Sequence, residues 1–244
     1  MRVTRLHVAQ PLVPGARIAL PAEAAAYLAR VLRLQVGDAC VLFNGDGHDY
    51  DARLVAVGKR GVEVEVLGAT AVDHESPLRL TLLQGVARGE KMDWILQKAT
   101  ELGVAAFVPV SSERSEVRLG DEARAGKRLA HWQGVVASAC GQCGRARVPG
   151  VAAPQALADA LAALPDAPRF LLDPGATRAI ADLAPPSGEC VLAVGPEGGW
   201  SPRDREQLVA AGFAGLRLGP RVLRTETAGI AAIAALQARF GDLV

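Results

Sequence analysis

Gly195-Pro196-Glu197-Gly198-Gly199-Trp200, followed a short way on by Leu218-Gly219-Pro220-Arg221-Val222-Leu223-Arg224-Thr225-Glu226-Thr227-Ala228, is the part of this 244-residue chain that decides its fold. Each turn follows a short apolar run and precedes a helical pattern, so both belong at one end of a parallel sheet. Glycine-rich backbone lets a ligand come close, and a helix start offers N–H groups with no partner in their own helix. In the first turn, Ser201 is placed to cap the next helix, Pro202 suits its first position, and Asp204 lies in its positive first turn. The amides ahead of them suit a carboxylate or a ribose edge. A tight strand-to-helix connection with no ligand explains this first turn equally well. The second turn resists that account. Thr225 or Thr227 as a cap and Glu226 at the helix dipole leave Arg221 and Arg224 with no structural purpose at the head of an otherwise apolar helix.

Upstream, strands and helices alternate from Leu78 onward. Leu80 to Val86 is expected as a strand, then Lys91 to Leu102 as a helix with Met92, Ile95, Leu96, Ala99 and Leu102 on one face. Gly103 closes that helix, and Ala105 to Val110 is the next strand. A long helix is expected from about Asp121 to Ala139, strands at Phe170–Leu172, Cys190–Val194 and Leu216–Leu218, and a last helix from Glu226 to Phe240. The alternation predicts a parallel α/β sheet covered on both faces.

Residues 1–72 have another grammar. One helix is expected over Ala22–Leu32, followed by strands at Cys40–Phe43, Arg53–Val57 and Val62–Leu67, with turns at Asn44-Gly45-Asp46-Gly47 and Lys59-Arg60-Gly61. Val62 to Leu67 alternates valine and glutamate, as a half-buried strand does. Short strands joined by hairpins predict a small β-barrel-like domain, a shape that binds RNA in some proteins and serves as plain scaffold in others. The polar stretch at residues 73–77 is the expected linker, giving domains at 1–72 and 78–244.

The bulk properties narrow the class. No apolar run approaches the roughly 20 residues of a membrane span, and Met1-Arg2-Val3-Thr4-Arg5 leads into no signal-peptide core, so a soluble cytoplasmic protein is expected. Net charge is +1, but residues 79–147 carry 11 Lys/Arg against 7 Asp/Glu while residues 148–244 carry 8 against 10. The basic middle suits a polyanion partner; an ordinary mixed surface suits the same counts. Cys140-Gly141-Gln142-Cys143 has the spacing of a redox or zinc motif, yet Cys40 and Cys190 stand alone and the pair falls near a helix end, which favours two ordinary thiols. His7, His48, His74 and His131 show no metal spacing, and no metal is expected. Gly85-Val86-Ala87-Arg88-Gly89-Glu90-Lys91 lacks the spacing and hydroxyl of a phosphate-binding loop, and no dinucleotide fingerprint occurs.

Taken together, the motifs resemble the bacterial family that methylates N3 of a uridine in 16S ribosomal RNA, within the SPOUT class of knotted methyltransferases. The resemblance spans nearly the whole chain. It rests on Arg30-Val31-Leu32-Arg33, Arg88-Gly89-Glu90-Lys91-Met92, Gln97 to Gly103, Ser112-Glu113-Arg114, Gln142-Cys143-Gly144-Arg145, the two glycine turns, and Leu236 to Asp242. It implies an N-terminal PUA-like barrel, a C-terminal α/β domain with a deep trefoil knot, S-adenosylmethionine as cofactor, the small ribosomal subunit as partner, and a homodimer. The implied cofactor pocket comprises Leu172, Gly195, Pro196, Glu197, Gly198, Gly199, Leu218, Gly219, Leu223, Arg224, Thr225, Thr227 and Ala228. Gly141 departs from the pattern, which has glutamate before Gln142.

Methyl transfer to an imide nitrogen requires an in-line approach and loss of the N3 proton. Arg224 or Arg221 is expected to stabilise the developing anion, and Glu226 or Glu197 to accept the proton. Arg30, Arg33, Arg88, Lys91, Arg114 and Arg145 are the expected RNA contacts. Two alternatives stay open at this point. One is a related SPOUT enzyme acting on another base or a ribose 2′-hydroxyl. The other is a non-enzymatic RNA-binding assembly factor, which needs no ligand pocket.

Overall fold

A computed structural model describes residues 3–59, 61–115 and 122–243. Met1 and Arg2 at the start, Arg60 in an expected turn and Asp121 at the expected start of the long helix lie outside the described residues. The chain divides into two compact units: Met1–Glu75 with Ala137–Val148, and Ser76–Val136 with Pro149–Val244.

The first unit is built on β1 (Arg5–His7), β2 (Arg17–Ala19), α1 (Ala22–Ala26), β3 (Ala39–Phe43), β4 (His48–Gly58) and β5 (Gly61–Ala71). Its sheet runs in the order β1-β3-β4-β5-β2, antiparallel except for β1 beside β3. The alternation read from Val62 onward is the one observed: Val62, Val64 and Val66 are buried and Glu63 is exposed. With Leu28, Leu42 and Leu54, these valines form one apolar core. Each fully buried aliphatic side chain contributes roughly 1.5–3 kcal/mol over its exposed state. The single helix expected over Ala22–Leu32 is instead α1 continued by a wider π-helical turn, Tyr27–Val31. That turn keeps Leu28, Leu32 and Leu34 on the core, and the chain leaves it through Arg33 at a φ of 56°. The unit also takes in Ala137–Val148, which the sequence places with the α/β half. The Arg5 guanidinium explains why, donating to the carbonyls of Cys140 (2.8 Å) and Arg145 (3.3 Å).

The second unit contains β6 (Arg79–Gly85), α2 (Glu90–Glu101), β7 (Val104–Ser111), most of α3 (Glu122–Cys143), β8 (Gly150–Val151), β9 (Gln155–Ala156), α4 (Leu157–Ala162), β10 (Arg169–Leu172), β11 (Glu189–Val194), α5 (Pro202–Ala210), β12 (Phe213–Leu216) and α6 (Thr225–Phe240). The sheet order is β12-β10-β11-β6-β7-β8, with β9 beside β7, and every ladder is parallel. Buried Leu83, Leu171, Val191, Ala193, Leu208 and Phe213 pack together from four strands and a helix. The expected strand at Leu216–Leu218 ends at Leu216 instead. The left-handed turn at Gly212 (φ 84°) starts β12 earlier, and pairing runs from Arg169 opposite Phe213 to Leu172 opposite Leu216. Leu218 is thereby released into the loop. Because the ladders are parallel, Gly85, Leu172, Val194 and Leu216 all end their strands on one side, where open α/β sheets place their ligand sites. No helix among the described residues is long and apolar enough to cross a membrane.

Candidate active site

The loop after β11 is folded tightly on itself. Gly199 N–H donates to the Pro196 carbonyl at 2.9 Å, and Gly199 turns the chain at a φ of 66°. A side chain on Gly195 would meet Gly199 and Trp200 backbone at 3.2 Å, and one on Gly198 would meet Arg114 at 3.0 Å. Ser201 and Asp204 then cap α5 reciprocally, with Pro202 in its first turn, as the residue types imply. Asp204 also accepts from Glu113 N–H (3.4 Å), and Arg114 Nη1 donates to the Gly198 carbonyl (3.2 Å). The Ser112-Glu113-Arg114 motif thus buttresses this loop.

Glu197 is tied down through one oxygen. Its Oε1 accepts from the Arg88 N–H and from Lys91 Nζ, each at 3.1 Å. Burial by itself pushes its carboxyl up, but these donors outweigh it and hold the group below the usual carboxylate range. Glu226 is the opposite case: its Oε2 is shielded from solvent and has no hydrogen-bond partner among the described residues.

The loop after β12 brings Leu218 to Leu223 past the same spot and into α6. Neither Thr225 nor Thr227 caps that helix. Arg224 holds the cap position in extended conformation with no side-chain bond, and Thr225 Oγ1 donates instead to the Gly195 carbonyl at 2.5 Å. Thr225 ties the second loop to the first, a use for its hydroxyl that competes with capping.

Between the loops lies a cavity of about 470 Å³. That is the size of a pocket for a small organic ligand, typically roughly 300–1,000 Å³. Of the expected pocket residues, all but Thr227 line it; Thr227 points to solvent. Arg221, Glu226 and Lys91 also border it. The sequence missed Asp173, Pro174, Val194, Trp200, Arg205, Leu216 and Val222. Asp173 follows β10 at the same sheet end as the two glycine turns, so its position carried a signal; Arg205, on the first turn of α5, pairs with it. That guanidinium, together with the Gly175 N–H, keeps the Asp173 carboxyl below its ordinary range against burial.

The cavity fits S-adenosylmethionine. Leu172, Val194, Leu216, Leu218 and Leu223 offer apolar wall for a purine. Side chains added at Gly199 or Gly219 would meet nothing within 4 Å, so their backbone faces open space. The Trp200 indole N–H is buried with no partner among the described residues, a donor for a ribose or carboxylate oxygen.

Of the expected RNA contacts, Arg30, Arg33, Arg88 and Arg114 are exposed and Lys91 is half-buried. Arg145 is corrected by the structure. It is 4% exposed and bonds Glu75 through Nε (3.1 Å) and Nη2 (2.5 Å), which makes it an internal brace of the first unit. Cys140 and Cys143 close the last turn of α3 as free thiols, and burial pushes Cys140 up to about 12, far from the thiolate that redox or zinc chemistry needs. No group of three or more metal-ligating side chains occurs among the described residues.

Comparison with known proteins agrees with this geometry. A family profile described as an RNA methyltransferase domain matches residues 74–237, and one described as an RNA methyltransferase PUA domain matches residues 20–67. The chain is 33% identical to the ribosomal RNA small subunit methyltransferase E of Buchnera aphidicola, covering 99% of this chain and 98% of that one. Among solved structures, the ribosomal RNA small subunit methyltransferase E of Neisseria gonorrhoeae bound to S-adenosylmethionine superposes with a TM-score of 0.91 at 40% identity, covering all of both chains. A Legionella pneumophila protein solved with the same cofactor gives 0.95 at 36% identity, again over both whole chains.

Proposed function

Because this chain belongs to the family of ribosomal RNA small subunit methyltransferase E, we propose that it transfers a methyl group from S-adenosylmethionine to 16S ribosomal RNA, at N3 of one uridine. The observation that carries the proposal is the cavity at the carboxyl ends of the strands, where Arg221, Arg224 and Glu226 meet a glycine-built wall. Bound there, the cofactor supplies an activated methyl group, so the protein's task is orientation and control of one proton.

Arg221 and Arg224 border the cavity with exposed guanidinium-bearing chains and stabilise the anion that develops on the uracil carbonyls. The two carboxylates divide differently from the sequence alone. Glu197 is committed to Arg88 and Lys91 and held charged, which makes it a brace. Glu226 keeps an oxygen without a donor, and it is the proposed acceptor of the N3 proton.

Arg30 and Arg33 of the first unit, and Arg88, Lys91 and Arg114 of the second, are the proposed RNA contacts. Tyr27, exposed on the same turn as Arg30, adds an aromatic face on which a base can stack beside that arginine. The trefoil knot, the homodimer and a cytoplasmic location belong to the same proposal. For the knot, the support is the family to which the chain belongs.

The test is to treat small-subunit particles lacking this modification with the protein and labelled S-adenosylmethionine, then map the methylated nucleoside. One N3-methyluridine in 16S RNA is expected. Label on a ribose or on another base would replace the substrate assignment, and no transfer at all would favour an assembly factor.

A further inference from the structure

Beneath the cavity sits a side chain that neither lines it nor was singled out by any motif. Gln84, the next-to-last residue of β6, is wholly buried. Its Nε2 donates to the Gly85 carbonyl at 2.9 Å and to Thr225 Oγ1 at 3.2 Å, and approaches the carbonyls of Val194 and Gly195 at 3.4 and 3.5 Å. The Thr225 hydroxyl passes the connection on by donating to the Gly195 carbonyl. One amide therefore ties the end of β6 to the end of β11, where the first cavity wall begins, and to the start of α6, where the second ends.

The arrangement has a cost that shows which atoms matter. Nε2 faces four oxygens, so the amide nitrogen must lie on that side. Its oxygen, Oε1, is then left buried without a partner among the described residues, close to where a side chain on Gly229 would stand (3.8 Å). An unsatisfied buried acceptor is destabilising. An apolar side chain would avoid that penalty and would satisfy a merely structural need at this position. What it would lose is the donor between the two loops.

We infer that Gln84 and Thr225 are positioning residues: together they set the spacing of the Gly195–Gly199 and Leu218–Arg224 loops to the width of the adenosyl ligand. The inference rests on the proposed use of the cavity. Gly85 works alongside them, because any side chain there would come within 2.5 Å of Pro196, so β6 can hold the first loop only with glycine next to the amide.

The test uses the full chain with Gln84→Met, Thr225→Val, the double variant and Thr225→Ser, measuring S-adenosylmethionine affinity by calorimetry and amide hydrogen exchange without cofactor. Gln84→Met and Thr225→Val should each weaken cofactor binding by roughly ten- to hundredfold. The double variant should be little worse than either single one, because both cut the same connection. Thr225→Ser keeps the hydroxyl and should stay within about threefold of the parent. Exchange should accelerate at residues 195–199 and 219–225 and not in the β4–β5 hairpin of the first unit. If Gln84→Met fails to fold, Thr225→Val decides through exchange without cofactor, because a hydroxyl that only touched the ligand would weaken binding and leave exchange at residues 195–199 at the parent rate. Parent-like affinity in Thr225→Val, additive losses in the double variant, or acceleration spread over the whole chain would each overturn the inference. A parent protein that binds no S-adenosylmethionine would instead remove the proposed function, and the exchange pattern would still report whether the two loops are joined through Gln84.

Discussion

The two loops that wall the cavity are made in different ways. Gly195–Trp200 is clasped along its length: Gly85 lies beneath Pro196, Arg114 lies against Gly198, Glu197 is bonded to Arg88 and Lys91, and the reciprocal Ser201–Asp204 cap closes it. Leu218–Arg224 has its described anchors at its two ends, the Ala179–Arg217 bridge before it and the Thr225 hydroxyl after it. Between them Arg221, Val222 and Arg224 are exposed, Val222 by 80%. One wall is complete before any ligand arrives, and the other presents its arginines to whatever enters. A rigid wall supplies position at no entropic cost on binding, whereas the open wall can close over a substrate and lose freedom only then.

The sharpest way to break this comparison is through the two carboxylates, Glu197 on the clasped wall and Glu226 in the first turn of α6, which the open wall enters. If the open side holds the proton acceptor, Glu226→Gln should lower kcat by about 10²–10⁴-fold, the usual range for a general base, while cofactor affinity holds. Parallel loss of cofactor affinity would make Glu226 a binding residue. The next effect tests the clasped wall. Gly85→Ala would place a methyl 2.5 Å from Pro196 Cδ and 2.6 Å from its backbone nitrogen. The loop must move, at about 1–3 kcal/mol of stability and with weakened cofactor binding. At Gly219 a methyl meets nothing within 4 Å. Gly219→Ala should therefore incur only the left-handed strain of about 1–2 kcal/mol and leave the amide resonances of residues 195–199 in place. If the two alanines disturb that loop equally, the walls are not built differently.

The same contrast explains what the sequence disclosed. Ser201, Pro202 and Asp204 could be read because a capping box is local: residues three apart satisfy each other wherever the helix lies. The alternation of Val62, Val64 and Val66 was local in the same sense. The glycine turns announced a cavity because both follow strands of one parallel sheet. Thr225 misled because a threonine at a helix start reads as a cap, while its true partner, Gly195, lies 30 residues away. Arg145 misled for a related reason, since charge alone cannot distinguish an arginine turned to solvent from one paired with Glu75, 70 residues back. Gln84 gave no signal at all. Polarity in the middle of an apolar strand shows its purpose only once β11 and α6 are laid against it.

The smallest effect concerns Glu197 and runs through pH. Burial favours its neutral form, but the Arg88 N–H, its own backbone N–H and the Lys91 ammonium together favour the charged one more strongly, so its folded value lies below the ordinary 4.5. A carboxyl depressed on folding contributes stability that is fully present above its unfolded value and lost as pH falls through the folded one. Glu197→Gln should therefore be less stable than the parent at pH 7, and the gap should close on acidification from about pH 5 downward. Lys91 is open to water by 38%, so the gap at neutral pH should be about 1 kcal/mol or less. Thermal midpoints of the two proteins across pH 7 to 3 measure it. A gap that stays constant to the acid end would mean that the neutral carboxyl braces the loop as well as the charged one, and that the clasped wall owes its form to packing around its glycines and not to charge.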